Sequence, residues 1–320
     1  MKIVRVFTAL AVAVGTATTA LAQGYPTKPV HLIVGLPPGS VPDTIARSLS
    51  SKLSEAWGQP IVIENRLGAA GVIAAGVVAR SPADGHTLLV HGAYAVNAAL
   101  APNLPYDPLK DFVAITPLAS QPFVLIVGLA SGVRTVAELI AAAKVKPGQL
   151  NYGSPGIGSL PHLGVESFKL TTGIDVAHVP YKGPAEVITD LIAGRITFAY
   201  SPIQIALPHI RSGRLSALGV SGERRSSLLP DVPTLAEAGV SGFTPTLSVG
   251  VWAPAGTPAD VVDRISRDVS RALATPDARD ELAKLGAEPM RMSPSEFAQF
   301  IRREIHEMTR IVKAAGITPE

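Results

Sequence analysis

The stretch HLIVGLPPGSVPDTIAR, His31 to Arg47, decides how the chain is read: a short apolar run, a turn rich in Gly and Pro, then residues at helical spacing. A run that is nearly continuous in apolar residues suits a strand covered on both faces. Behind the turn, Ile45, Leu49 and Leu53 fall on one helical face. The unit is strand, turn, helix. The same alternation returns at IVI (61 to 63), TLLV (87 to 90), FVLIV (123 to 127), ITFAY (196 to 200) and LSALGV (215 to 220), and Val187, Ile188, Leu191 and Ile192 line a later helical face. Repeated units of this kind predict an α/β fold with mostly parallel sheets flanked by helices.

Two turn-rich segments interrupt the pattern, at 118 to 122 and at 239 to 245. After the second come a strand-like SVGVW (248 to 252) and two long amphipathic helices, one through Val261, Val262, Ile265, Val269 and Leu273, the other from Phe297 through Ile301, Ile305 and Met308 to Val312. This order predicts a first domain of residues 23–120 and 246–320 and an inserted second domain of residues 121–245. Two crossings would act as a hinge, with ligand held between the domains.

At the front, Lys2 and Arg5 precede an apolar, small-residue run that ends Ala20-Leu21-Ala22, the pattern of a signal peptide over residues 1–22. The run is short and broken by Gly15, Thr16, Thr18 and Thr19, which disfavours a membrane anchor. Export places the mature chain in the periplasm. The full 320-residue sequence contains no Cys, so neither disulfides nor thiol chemistry enter, and the chain is long enough to bury a core without them. The leader carries two of the 28 Lys and Arg and none of the 25 Asp and Glu, so the mature chain is close to neutral despite a sequence pI of 9.2. With basic residues scattered and 5% aromatics, no nucleic-acid partner is expected.

The turn at Gly39-Ser40 lies where a helix begins and several backbone N–H groups lack intrahelical partners. It can hold an anion or a water, with Gly39 allowing close approach, Ser40 adding a hydroxyl and Asp43 capping or facing the cleft. An ordinary strand-to-helix turn reads the same way. A second helix mouth lies in NYGSPGIGSLPHLG, Asn151 to Gly164, where Gly153, Gly156, Gly158, Ser154 and Ser159 precede a helical run. Its order is G-x-x-G-x-G with Pro161 where a third Gly belongs, so it fails as a dinucleotide fingerprint and survives as a small-anion cradle. Two such mouths, one per domain, strengthen each other. VPYKGPAEV (179 to 187) adds Tyr181 and Lys182 at a strand-helix junction, and Tyr200-Ser201 ends another strand.

Signs of catalysis are sparse: neither G-x-S-x-G nor G-x-x-x-x-G-K-[ST] occurs, and HEMTR (306 to 310) has Arg where a second zinc-binding His would stand. The seven His are scattered without ligand spacing, and nothing calls for a metal or cofactor. His91 and His162 fall near expected loops, as ligand contacts or as scaffold. A triad assembled from distant segments, making the chain an exported hydrolase, stays open at this point.

Read in order, nine segments resemble the extracytoplasmic solute receptors of the tripartite tricarboxylate transporter system, the Bug family. They are YPTKPV (25 to 30), PPGSVPDTIAR (37 to 47), GQPIVIENRLGAAG (58 to 71), DGHTLL (84 to 89), LPYDPLKDF (104 to 112), VPYKGPAEVITDLIAGRI (179 to 196), LLPDVPTLAEAGVSGF (228 to 243), WAPAGTPADVV (252 to 262) and FIRREIHEMTRIVKAAGI (300 to 317). The resemblance implies a two-lobed, type II-like periplasmic binding protein. It would act as a monomer, closing on a small organic acid and passing it to membrane permease subunits; a receptor signalling to a sensor kinase is the variant of that reading. It also implies that a ligand carboxylate is held through ordered water by the loop of Gly39, Ser40 and Asp43, and more directly by N–H groups of Ser154, Gly156, Ile157, Gly158 and Ser159. Several positions depart from the family pattern. Gly39-Ser40 stands for Gly-Gly, Ala70 for Gly, His86 for Tyr, and Tyr200-Ser201 where many members carry an acid.

Overall fold

The computed structural model describes residues 24–101, 103–242 and 245–317; the expected leader lies outside them. The first sheet contains β1 (Val30–Val34), β2 (Ile61–Asn65), β3 (Thr87–His91), β4 (Phe112–Gln121), β10 (Leu247–Pro254) and β11 (Glu288–Pro289), in the order β11-β4-β10-β3-β1-β2. The second contains β5 (Phe123–Gly128), β6 (Asn151–Ser154), β7 (Ala177–Pro180), β8 (Phe198–Pro202) and β9 (Leu215–Val220), in the order β7-β6-β8-β5-β9.

Alternation along each strand feeds two cores, one on each face of its sheet. In β1, Leu32 and Val34 pack with Ile45, Leu49, Leu53, Ile265 and Val269. Ile33, between them, packs on the other face with Trp252, Phe297 and Ile301. The second sheet repeats this: Leu125 and Val127 join Leu139, Val165 and Phe168, whereas Val124 and Ile126 join Ile188, Leu191 and Ile203. Helices on both faces explain why the strands read as near-continuous apolar runs.

Most strands of each sheet run the same way, as the α/β reading expects, and the strands at the crossings make both sheets mixed. β1 pairs in parallel with β2 and β3, and β6 with β7 and β8, but β10 runs antiparallel to β3 and β4, β11 to β4, and β5 to β8 and β9. The cause is the crossing. The segment around 118 to 122 is no turn: β4 ends at Gln121 in one sheet and β5 begins at Phe123 in the other, broken only at Pro122. A chain that leaves through β4 must return through β10 in the opposite direction. Pro117 is accommodated inside β4 because it sits at a register shift opposite Gly250.

Candidate functional site

Topology fixes where the loops lie before any side chain is considered. β1, β2 and β3 run the same way as β4, which exits toward the second sheet, so their carboxyl ends share the edge facing the other lobe. β5 enters the second sheet at Phe123, opposite Pro202 at the end of antiparallel β8, and β6 and β7 run with β8. The carboxyl ends of those strands therefore face back. The 35–40 loop follows β1 and the 155–159 loop follows β6, so the two loops occupy facing edges, the usual place for ligands in open α/β sheets.

In the first lobe, Gly39 has φ +82°, while a Cβ built on it would meet nothing within 4 Å. Glycine is needed there for backbone conformation and not for close approach. Ser40 is the N-cap of the helix Val41–Trp57 but makes no capping bond, and its Oγ is buried without a hydrogen-bond partner among the described residues. A water or a ligand oxygen is the natural partner for such a group. Asp43 is not turned out toward ligand. Its side chain is 1% exposed, with Oδ2 accepting from Gly39 N–H (2.8 Å) and Arg47 Nε (2.9 Å) and Oδ1 from Asn65 Nδ2 (2.9 Å). Burial pushes this carboxyl upward, but the hydrogen bonds from Arg47, Gly39 and Asn65 outweigh it and hold it below its ordinary range. Asp43 shapes the loop that carries Ser40.

In the second lobe, Gly156 (φ +127°) and Gly158 (φ +75°) give the loop its path. Ser154 is fully buried; its Oγ accepts from Gly156 N–H at 3.2 Å and lies 2.7 Å from His178 Nε2. Gly158 N–H donates to His162 Nδ1 at 3.0 Å. Ser159 caps the helix Leu160–Thr172 by accepting from His162 N–H, and donates to Gly156 O at 2.7 Å. Among the described residues no hydrogen bond engages the Ile157 N–H, and its side chain is 51% exposed. Beneath the loop the rings of His162 and His178 stack, centroids 4.0 Å apart, and Tyr152 stacks on His178. Burial depresses both imidazoles. For His178 burial is joined by the neighbouring His162, bringing it to about 4; for His162 burial outweighs the opposing pull of Glu166. Both rings are therefore neutral at pH 7, as the acceptor role of His162 Nδ1 requires.

Four expected contacts are committed elsewhere. His91 is buried, its Nδ1 accepting from Ala93 N–H at 2.8 Å and its Nε2 3.3 Å from Asn97 Nδ2; it supports the turn after β3, and burial lowers its pKa to about 4. Tyr181 donates to Asp190 Oδ2 at 2.9 Å. Tyr200, buried against Phe123, donates to Pro245 O at 2.6 Å, tying β8 to the returning crossing. Ser201 is buried and donates to Pro202 O at 3.2 Å, yet it lines a cavity beside the glycine loop. The sequence reading missed the paired role of His162 and His178. Their meeting depends on the register of β6 with β7, which sets Tyr152 opposite His178, and no local spacing reports it.

The Ser154–His178 contact is the geometry a hydrolase would need, but the serine is fully buried and the depressed histidine is a poor base at neutral pH. Among the described residues no acid is hydrogen-bonded to the other nitrogen of that ring to orient it. No group of three or more His, Cys, Asp or Glu among the described residues is placed to hold a metal.

Two lobes joined by two crossings, with helix-mouth loops on facing edges, define the class of two-lobed solute-binding proteins. Within it, the chain belongs to the tripartite tricarboxylate transporter family receptors, whose family model (TctC) matches residues 45–317. Protein BugT of Bordetella pertussis is 34% identical, covering 99% of this chain and 97% of its own. An R. palustris protein solved with adipate is 36% identical with TM-score 0.74, covering 92% of this chain and all of its own. MatC from Rhodopseudomonas palustris, solved with malate, is 33% identical with TM-score 0.70, covering 90% and 100%. These are receptors; the hydrolase alternative falls with the family and the buried serine.

Proposed function

We propose that this receptor captures a small carboxylate between its lobes in the periplasm and delivers it to the permease subunits of its transporter. The observation that carries the reading is the placing of two N–H-bearing helix mouths on facing edges of the two sheets. Adipate and malate in the two R. palustris relatives are both dicarboxylates, which supports the same class here. The first-lobe loop contributes Gly39 and the unpartnered Ser40 hydroxyl, with water between protein and ligand; Asp43 acts by holding that loop. The second-lobe loop contributes N–H groups of Gly156, Ile157 and Gly158, flanked by Ser154 and Ser159. His91, Tyr181 and Tyr200 serve as scaffold. The lobes divide into residues 23–120 with 246–320, and 121–245. Residues 1–22 direct export, and the mature chain works as a monomer.

The test uses the mature protein, unfolded and refolded to strip bound ligand, in thermal melts against mono-, di- and tricarboxylates, amino acids and aromatic acids. One acid class should raise Tm in a concentration-dependent way. Ile157→Asp adds a carboxylate on an exposed side chain beside the loop and should weaken that acid at least tenfold with Tm of the free protein unchanged. It is a cleaner probe than a change at Gly158, where positive φ and Leu100, 2.9 Å from a built Cβ, would disturb packing as well. No Tm shift with any acid, or full affinity in Ile157→Asp, would overturn the assignment.

A further inference from the structure

We infer that the carbon body of the ligand is a hydrocarbon, aliphatic or aromatic, lodged in the second lobe beside the glycine loop; this rests on the carboxylate reading above. A cavity of about 190 Å³ opens against that loop. Pro155 and Pro161, which bracket residues 156–160, line it, and Phe123, Val187, Ile188 and Ile205 are among the other lining residues. It lies at the carboxyl end of β8 and the entry of β5, the edge that faces the first lobe. A ligand whose carboxylate meets the loop therefore has this cavity as the adjoining space for its carbon atoms.

The chemistry of the wall selects what fits. None of the ten lining residues is charged. Its two hydroxyls already donate within the protein, Tyr200 to Pro245 O and Ser201 to Pro202 O. Asp190, on the helix that supplies Val187 and Ile188, is occupied by Tyr181 and Arg195 and does not line the cavity. A ligand hydroxyl or ammonium carried into this space would lose water and find at most the spare lone pairs of these two buried hydroxyls, weakening binding by roughly tenfold or more. Each methylene placed there strengthens it by about fourfold.

Calorimetric titration of the stripped mature protein with acids matched in carboxylates but not in body tests this directly. Adipate is compared with its tetrahydroxylated counterpart galactarate and with 2-aminoadipate, and hexanoate and benzoate serve as monocarboxylates. At least one hydrocarbon acid should bind tenfold or more tighter than the hydroxylated and aminated acids. Ile205→Phe, a half-buried position with room to grow into the cavity, should weaken that acid by tenfold or more. If galactarate, 2-aminoadipate or malate binds as tightly as the hydrocarbon acids, or Ile205→Phe binds normally, the inference is overturned while the receptor reading stands. If no acid of any class binds, the receptor reading fails and the inference with it.

Discussion

Asp43 shows how one buried carboxylate can hold the shape of a helix-mouth loop. Asp43→Ala would leave Gly39 N–H without its side-chain acceptor and Asn65 Nδ2 with Leu36 O alone, so a loss of about 1–3 kcal/mol in urea unfolding is expected, together with weaker ligand binding. Because its folded pKa is depressed, that stabilisation is present above the ordinary Asp range and is lost as pH falls through the lower folded value. His178 acts in the same direction at higher pH. Its pKa falls from 6.5 to about 4, so the folded state binds fewer protons between those values. Stability is full above about 6.5 and declines as pH drops toward 4. Melts from pH 7 to 4 should show this decline, and His178→Phe, which keeps a ring on the stack but has no proton to gain, should make it shallower, with buried His91 and His162, whose pKa values are also lowered, supplying the remainder. At this scale the sequence made Gly39, Ser40 and the glycines at 156 and 158 visible, since turn chemistry is local. It left two uses open for Asp43, capping or facing the cleft, because whether a carboxylate faces outward or holds its own loop depends on Asn65, 22 residues away.

Among the elements, the final helix Pro294–Ala314 is the most legible and carries the least expected group. Its apolar face of Phe297, Ile301, Met308 and Val312 follows from spacing alone, and the structure adds a capping box at its start, Ser293 with Glu296. Glu304 breaks the pattern. It is buried, with Ser248 Oγ at 3.4 Å, and burial raises its pKa to about 8. The folded state therefore holds a proton that the unfolded chain releases at its ordinary value, 4.5. Its contribution is full below 4.5 and is lost as pH rises through 8. Glu304→Gln, neutral at every pH, should leave Tm nearly unchanged at pH 5 and raise it at pH 8.5; a uniform shift at both would show that Glu304 is not protonated in the fold. The strand directions were less legible than the helices. Apolar runs report burial, not partners, so the antiparallel returns of β10 and β5 could not be separated from the parallel βα units.

For the whole molecule, the lobes are coupled by more than two threads of chain. Leu163, on the second lobe's helix Leu160–Thr172, packs with Ala95 and Val96 of the first lobe and with Met308, Ile311 and Val312 of the final helix. Leu163 is fully buried in that cluster, and the Tyr200 bond to Pro245 O pins the returning crossing. Leu100 of the first lobe and Leu160, next to the 155–159 loop, join the same cluster, so opening of the cleft must work against these contacts. Leu163→Ala removes the largest contribution of the second lobe to the cluster and should lower stability by about 2–5 kcal/mol. It should do so without altering either loop. If the cluster limits opening, small-angle scattering of Leu163→Ala should give a larger radius of gyration than the native chain without ligand and the same radius at saturating ligand. Affinity should then fall in proportion to the smaller closed population. Equal radii in the free proteins would mean that the two crossings alone set the angle between the lobes.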